Sequence, residues 1–207
     1  MNEFSKKNQI SLFAAITVIA AAFDQLSKRW ALANLGDHEP VPLIPGVLEF
    51  LRIENRGAAF GILQGKMFFF YLITAVVAAG ILYVVYKLPE KRKYLPLLVI
   101  LAFLLAGAAG NLIDRAFRQS VVDFIYFKPI DFPVFNVADI YVTCSTFVMV
   151  ILILRYYEDE DFAFLSLKKE KTAGAEQQKT ESEEDERPDT AEEMKTDAEE
   201  EKEEQEK

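Results

Sequence analysis

Two aspartates, Asp123 and Asp139, stand 16 positions apart where two long apolar runs of this chain end. An ionised carboxylate at the edge of hydrocarbon is costly, so it is expected there only with a partner or a reaction. If the fold brings the two carboxyl groups within a few ångströms, both cannot ionise easily and one keeps a proton. The ionised acid could then activate water while the protonated acid donates to a carbonyl oxygen. This is hydrolysis of a peptide bond by general acid and base catalysis.

Each aspartate also has a structural interpretation. Asp123 lies between Val122 and Phe124, in an apolar stretch that is too short to span a membrane. That stretch predicts a strand or a chain lying along the mouth of a helix bundle, and poor solvation there tends to raise the pKa of the carboxyl group. Asn136 and Asp139 share a face at the start of the last apolar run, so either side chain could instead cap a helix.

Further polar residues near the ends of the apolar runs could bind substrate or support the acids. Asp24 and Lys28 are four apart and can pair on one helix face, or Lys28 could extend to the membrane interface with Asp24 as its counter-charge. Asn111, Asp114 and Arg115 share a face if the third helix reaches Arg115. Arg115 could keep one acid ionised, or Asp114 and Arg115 could tie down the following loop.

A small-residue turn follows at residues 55–60. Gly57 permits backbone conformations or approaches that a side chain would block, and Asn55 could hydrogen-bond the substrate backbone. A plain loop would account for the same residues.

The elements that must position these residues are four apolar segments, each long enough to cross a bilayer. They cover residues 10–34, 67–88, 94–113 and 138–157, and the first spans only if its helix continues beyond Phe23. Alternating apolar residues among prolines and Gly46 in the first connection predict a short β segment or a membrane-hugging flap. We therefore expect an all-α membrane protein with four transmembrane helices and a small extracytoplasmic β or flap segment.

Basic residues predict how the helices are oriented. Lys91, Arg92 and Lys93 lie in the tight turn between the second and third spans, and Lys6 and Lys7 precede the first. Because short basic loops stay in the cytoplasm, both termini should be cytoplasmic and the candidate residues should face outward. In an alternative interpretation, the residues up to about Ala22 are a cleaved signal peptide. That would leave three spans and place the basic turn on the outer side of the membrane, contrary to the cytoplasmic preference of basic loops.

The net charge of −9 belongs to one end of the chain. Residues 170–207 contain 17 acidic and 6 basic residues, whereas residues 1–169 contain 15 acidic and 17 basic ones. We expect a membrane peptidase domain over residues 1–167 and a disordered acidic cytoplasmic tail over residues 168–207. The charge therefore says nothing of a nucleic-acid partner, and none is expected.

The composition gives little support for a metal site or for catalysis by a nucleophilic side chain. The chain has one cysteine, Cys144, and one histidine, His38. These exclude an intramolecular disulfide and leave no donor set for a structural zinc site. No histidine is placed to activate Cys144 or a serine, so nucleophilic catalysis is the weaker enzyme class. We expect no metal and no cofactor.

Five ordered stretches resemble lipoprotein signal peptidases, also called signal peptidase II, which are bacterial membrane aspartyl peptidases. They are residues 24–28 (DQLSK), 55–60 (NRGAAF), 107–115 (GAAGNLIDR), 121–124 (VVDF) and 135–139 (FNVAD). The one departure is Ala106, where many members have glycine. The resemblance implies a four-helix fold, Asp123 and Asp139 as the catalytic dyad, and cleavage before a diacylglyceryl-modified cysteine. The positions it implies for substrate binding or support of the site are Asp24, Lys28, Asn55, Gly57, Asn111, Asp114, Arg115 and Asn136.

The resemblance also implies the partners and the location. Members cleave prolipoproteins in the bacterial inner membrane and are the target of the cyclic peptide globomycin, and we expect a monomer among membrane lipids. The competing hypothesis is a small proton-coupled carrier or assembly subunit, in which acids relay protons near mid-membrane. In the four-span topology, however, the candidate acids all map to the outer end of the helices.

Overall fold

The computed structural model describes residues 4–57 and 66–165. Four long helices dominate it: α1 (Lys6–Asn34), α2 (Met67–Lys87), α3 (Leu95–Arg118) and α4 (Val137–Arg155). All four are long and apolar enough to cross a membrane. The described residues also form three strands: β1 (Val41–Ile44), β2 (Leu48–Asn55) and β3 (Val121–Phe127). The predicted fold class is confirmed, while the predicted acidic tail lies outside the described residues.

Helix α1 is continuous over 29 residues. It runs through Asp24 and Lys28 because these two side chains are buried inside the bundle rather than exposed to lipid. Near its start, Phe13 is part of the hydrophobic core and Gln9 donates a hydrogen bond of 2.7 Å to the Pro89 carbonyl oxygen. Cleavage near Ala22 would remove these contacts. Helix α1 is thus an integral part of the fold, contrary to the signal-peptide alternative.

Helix α3 is the central element and packs against α1, α2 and α4. It ends at Arg118, five residues beyond the predicted end at Ile113, and Gln119 closes it in a left-handed conformation with φ of 60°. Hydropathy ends the helix too early because Asp114 is polar, although its side chain faces the protein interior. The other spans differ from their predicted bounds by one or two residues, apart from the earlier start of α1.

Two glycines let α3 approach its neighbours closely. A Cβ atom at Gly107 would lie 2.6 Å from the Ala138 carbonyl oxygen, and one at Gly110 would overlap the Asp24 carboxylate. Small residues of this kind allow transmembrane helices to come into backbone contact. Helix α3 therefore brings Asp24 of α1 close to the start of α4, which carries Asp139.

The strands form one antiparallel sheet in the order β1-β2-β3. Asp123 on β3 is opposite Ile53 on β2, so the strand pairing fixes where its side chain points. The sheet rests on the end of α1, where Trp30 contacts Phe50 and Phe124 edge to face at 5.2 and 6.4 Å between ring centroids. The predicted β segment and the strand around Asp123 are both confirmed.

Candidate active site

Asp123 and Asp139 line the same cavity, at the end of the bundle that carries the sheet. Asp123 comes from the middle of β3 and Asp139 from the first turn of α4. The cavity has a volume of about 780 Å³, and apolar side chains such as Phe70 and Ile140 form much of its wall. The structure thus brings together the two acids that the sequence singled out.

Asn136 contacts both acids. Its side-chain Nδ2 donates to Asp123 Oδ1 at 2.6 Å, and its Oδ1 accepts from the Asp139 backbone N–H at 3.1 Å. Its own backbone N–H donates to Asp139 Oδ2 at 3.1 Å, which completes a capping box at the start of α4. The helix-cap interpretation is therefore correct for both residues. The same cap fixes the amide that reaches Asp123.

Two other asparagines complete the hydrogen bonds of the acids. Asn111 Nδ2 donates to Asp139 Oδ1 at 2.8 Å, and Asn55 Nδ2 donates to Asp123 Oδ2 at 3.0 Å. Asn55 is held in this orientation because its Oδ1 accepts from the Gly57 backbone N–H at 2.9 Å. The sequence suggested that Asn55 contacts substrate or supports the site, and in the structure its amide orients Asp123. All four carboxylate oxygens of the pair accept an N–H bond.

Asp123 is buried, with only 3% of the residue exposed. This burial is the largest cause that raises its pKa, and the nearby charge of Asp139 raises it further. The N–H bonds from Asn55 and Asn136 act in the opposite direction, and the result is a pKa of about 7. Asp123 can thus hold a proton near neutral pH.

Lys28 lies at the centre of a buried polar cluster behind the acids. Its Nζ is 2.9 Å from Asp24 Oδ2, 3.2 Å from Asp114 Oδ2 and 2.9 Å from Asn111 Oδ1. Only 1% of Lys28 is exposed, so the interpretation in which it extends to the membrane interface is wrong. The predicted pairing of Lys28 with Asp24 is confirmed.

Gln25 also belongs to this cluster, although no feature of the sequence beyond its position marked it as a site residue. Its Nε2 donates to Asp24 Oδ2 at 3.2 Å and to the Gly110 carbonyl oxygen at 3.1 Å, so it joins α1 to α3. The only signal in the sequence was its place between Asp24 and Lys28 in the first motif.

Arg115 lines the cavity beside the acids. Its Nη2 donates to the Gly57 carbonyl oxygen at 3.4 Å, and its guanidinium lies 4.3 Å from the centre of the Phe70 ring. Among residues 4–57 and 66–165, Arg115 forms no ion pair with Asp123 or Asp139. Asp114 does tie down the following segment, because its Oδ2 accepts from the Val122 backbone N–H at 3.2 Å. In the same part of the chain, no three side chains converge as metal ligands.

Comparison with known proteins gives a consistent result. The family model described as "Signal peptidase (SPase) II" matches residues 16–155. A lipoprotein signal peptidase of Bacillus pumilus is 46% identical over 126 residues, which cover 60% of this chain and 80% of that protein. The lipoprotein signal peptidase of Listeria welshimeri is 40% identical, covering 70% of this chain and 92% of that protein. The lipoprotein signal peptidase of Streptococcus pyogenes is 35% identical, covering 73% of this chain and 96% of that protein.

Two solved structures are similar as well, both described as bacterial membrane enzymes. One has a TM-score of 0.67 at 33% identity and covers 74% of this chain and 92% of its own. The other has a TM-score of 0.65, also at 33% identity, and covers 75% and 98%. The match to the family model over most of the chain, supported by these relatives, leads to one conclusion: the chain belongs to the signal peptidase II family.

Proposed function

We propose that this protein is an aspartic endopeptidase that removes signal peptides from bacterial prolipoproteins, by hydrolysing the bond before the diacylglyceryl-modified cysteine. Its membership of the signal peptidase II family makes it a peptidase. The substrate class follows the relatives, which are named lipoprotein signal peptidases. The observation that carries the aspartic mechanism is the placement of Asp123 and Asp139 in one cavity, both bonded to Asn136.

The proposed mechanism gives the two acids different roles. Asp139 is the base: its carboxylate accepts N–H bonds from Asn111 and Asn136 at the positive end of α4, where negative charge is stabilised. It takes a proton from a water molecule, which attacks the carbonyl carbon of the scissile bond. Asp123 is the acid and gives its proton to the carbonyl oxygen. The product of this step is a neutral tetrahedral diol.

The second step reverses the proton positions. Asp139 gives its new proton to the amide nitrogen as the C–N bond breaks, and Asp123 takes a proton from one hydroxyl group as the carbonyl forms again. One water molecule is consumed, and the amine and the carboxylic acid leave. Each acid then has the protonation state with which it began, so the dyad is ready for another substrate.

The surroundings of the dyad support a lipid-linked substrate. The cavity opens at a helix end, and apolar side chains such as Ile53, Phe70 and Phe132 line it. Such a wall suits a signal peptide that enters from the bilayer with its lipid anchor. We place the site at the extracytoplasmic face of the cytoplasmic membrane, with both termini inside and the protein acting as a monomer. The basic turn between α2 and α3 supports this orientation.

The competing hypothesis of a proton-coupled carrier has less support. Membership of a peptidase family favours an enzyme. In addition, Asp123 lies on a strand outside the four candidate spans, rather than on a helix at mid-membrane.

The proposal is tested by incubating the purified protein in detergent with a diacylglyceryl-modified prolipoprotein, with and without globomycin. We expect one cut directly before the lipidated cysteine, and we expect globomycin to block it. The control is the same precursor without its lipid, which should remain uncut. Cleavage at other bonds, or equal cleavage of both precursors, would contradict the assigned substrate class.

A further inference from the structure

All three N–H donors of the Lys28 ammonium group have acceptors inside the protein. An ammonium has three N–H donors and no acceptor. Lys28 has three acceptors within 3.2 Å: the carboxylates of Asp24 and Asp114 and the side-chain oxygen of Asn111. The residue is 1% exposed, so it is not available to substrate. Its role must therefore pass through these three partners.

Two of the partners hold the backbone directly beside the proposed catalytic acids. Asp24 Oδ1 accepts from the Ala138 backbone N–H at 2.9 Å, and Ala138 precedes Asp139. Asp114 Oδ2 accepts from the Val122 backbone N–H at 3.2 Å, and Val122 precedes Asp123. One ammonium group thus anchors the chain next to both acids, one of which lies on β3 and the other on α4.

The third partner holds a catalytic side chain. Asn111 Oδ1 accepts from Lys28 Nζ at 2.9 Å and from Asn136 Nδ2 at 3.2 Å, so its Nδ2 is left to donate to Asp139 Oδ1 at 2.8 Å. Lys28 is the charged donor of the two and the closer one, so its loss would weaken the hold on the amide that orients Asp139. Asp139 would then be mispositioned, although its own side chain is unchanged.

We propose that Lys28 is a positioning residue that sets the separation and the orientation of Asp123 and Asp139. This inference rests on the proposed function, because it assigns Lys28 a part in the same reaction. It differs from a role in substrate binding, which would require an accessible side chain. It also differs from a purely structural ion pair. The two backbone N–H groups that the partners of Lys28 bind directly precede Asp139 and Asp123, and the Asn111 amide donates to Asp139.

The test is the variant Lys28→Arg in the full-length protein. The substitution keeps the positive charge, but a planar guanidinium cannot direct three donors as an ammonium does. We expect kcat for the lipidated precursor to fall by about 100-fold, as small displacements of catalytic groups can cause, with KM little changed. The decline of kcat at high pH should also move to lower pH. The reason is that the charge of Asp139 contributes to the raised pKa of Asp123 and acts less on it when the acids separate.

The control for general destabilisation is Leu98→Ala, which opens a cavity in the core away from the acids. It should lower Tm without moving the high-pH decline. If Lys28→Arg behaves like this control, or leaves kcat and the pH profile unchanged, the inference is wrong. It is also wrong if KM rises at constant kcat, since Lys28 would then act in binding.

If Lys28→Arg does not fold, kcat and KM are measured on the double variant Asp24→Asn, Lys28→Met, which removes one buried charge of each sign, and the same outcomes in kcat and KM apply to it. The pH profile is not compared for this variant, because the charge of Lys28 itself lowers the pKa of Asp123. Asp123→Asn separates this inference from the proposed function. Cleavage by Asp123→Asn would overturn the aspartic mechanism itself, whereas loss of cleavage there with a normal Lys28→Arg enzyme would overturn only the positioning role.

Discussion

Asparagine amides, rather than a cation, make the direct contacts with the two acids. Asn55 and Asn136 each donate one N–H bond to Asp123, and Arg115 forms no ion pair with it in the described part of the chain. An amide donor orients a carboxylate, but it offsets the cost of burying a charge less than a cation would. Asp123 consequently retains a raised pKa of about 7. That value suits a residue that must give up and regain a proton near neutral pH.

Activity should therefore decline in mildly alkaline solution. Asp123 must be protonated to donate to the carbonyl oxygen, and its pKa is about 7. Above that pH the protonated fraction falls about tenfold per unit. We expect kcat for the lipidated precursor to follow this decline up to about pH 9, measured together with Tm to separate it from unfolding. A kcat that stays constant across this range would contradict the role of Asp123 as the acid.

The same residue makes folding stability depend on pH. The pKa of Asp123 is about 7 in the folded protein against an ordinary value of 3.8, so the folded state binds this proton more tightly. The contribution of this proton to the free energy of unfolding is fully present below about pH 4. It is lost as the pH rises through about 7, at up to about 1.4 kcal/mol per pH unit. Between these limits, the Tm of the wild type should fall relative to that of Asp123→Asn. Parallel Tm curves for the two proteins would contradict the raised pKa.

At the scale of elements, the sequence predicted the helices better than the contacts between them. Apolar runs located all four spans, but the polar residues on α3 led hydropathy to end that helix before Asp114 and Arg115. Hydropathy cannot distinguish a polar residue that faces lipid from one that faces a buried partner on another helix. The capping box of Asn136 and Asp139 was readable from spacing. The contacts of Asn55 and Gln25 were not, because they depend on residues more than 60 positions away.

The close approach of α1 and α3 gives a prediction about glycine. Gly110→Ala should lower Tm and reduce cleavage, because the added methyl group would overlap the Asp24 carboxylate. Overpacking of this kind costs about 1–3 kcal/mol. The matched control is Gly80→Ala on α2, where an added Cβ meets no atom within 4 Å. Equal behaviour of the two variants, in Tm and in cleavage of the lipidated precursor, would contradict the packing described for α3.

Viewed as a whole molecule, the protein places its polar chemistry at one helix end and its basic turn at the other. The sheet and the capped start of α4 meet at the first end. Exposed Lys91, Arg92 and Lys93 are at the second, between α2 and α3. The sequence predicted this polarity, because four spans and short loops leave few arrangements. It could not predict how deeply Asp123 would be buried while Asp139 stays half-buried, since that depends on how the sheet covers the bundle.

This polarity predicts which residues can be labelled from outside the cell. In a Cys144→Ala background, a cysteine replacing exposed His38 should react with a membrane-impermeant maleimide in intact spheroplasts. One replacing Lys91 should react only after the membrane is opened. Asp114 and Asp123 are unsuitable for this test, because both are buried. The reverse labelling pattern would place the site on the cytoplasmic side and contradict the proposed orientation.

In the proposed reaction, Asp123 and Asp139 together hydrolyse the bond before the lipidated cysteine. The most direct measurement is the initial rate of cleavage by purified Asp123→Asn and Asp139→Asn, with Asp131→Asn as the matched control. Asp131 is exposed and adopts a left-handed backbone that asparagine also accepts. We predict that the first two variants remain folded but lose about 100-fold or more of the rate, while Asp131→Asn retains it. A near-normal rate in a folded Asp123→Asn or Asp139→Asn protein would contradict the catalytic role of the two acids.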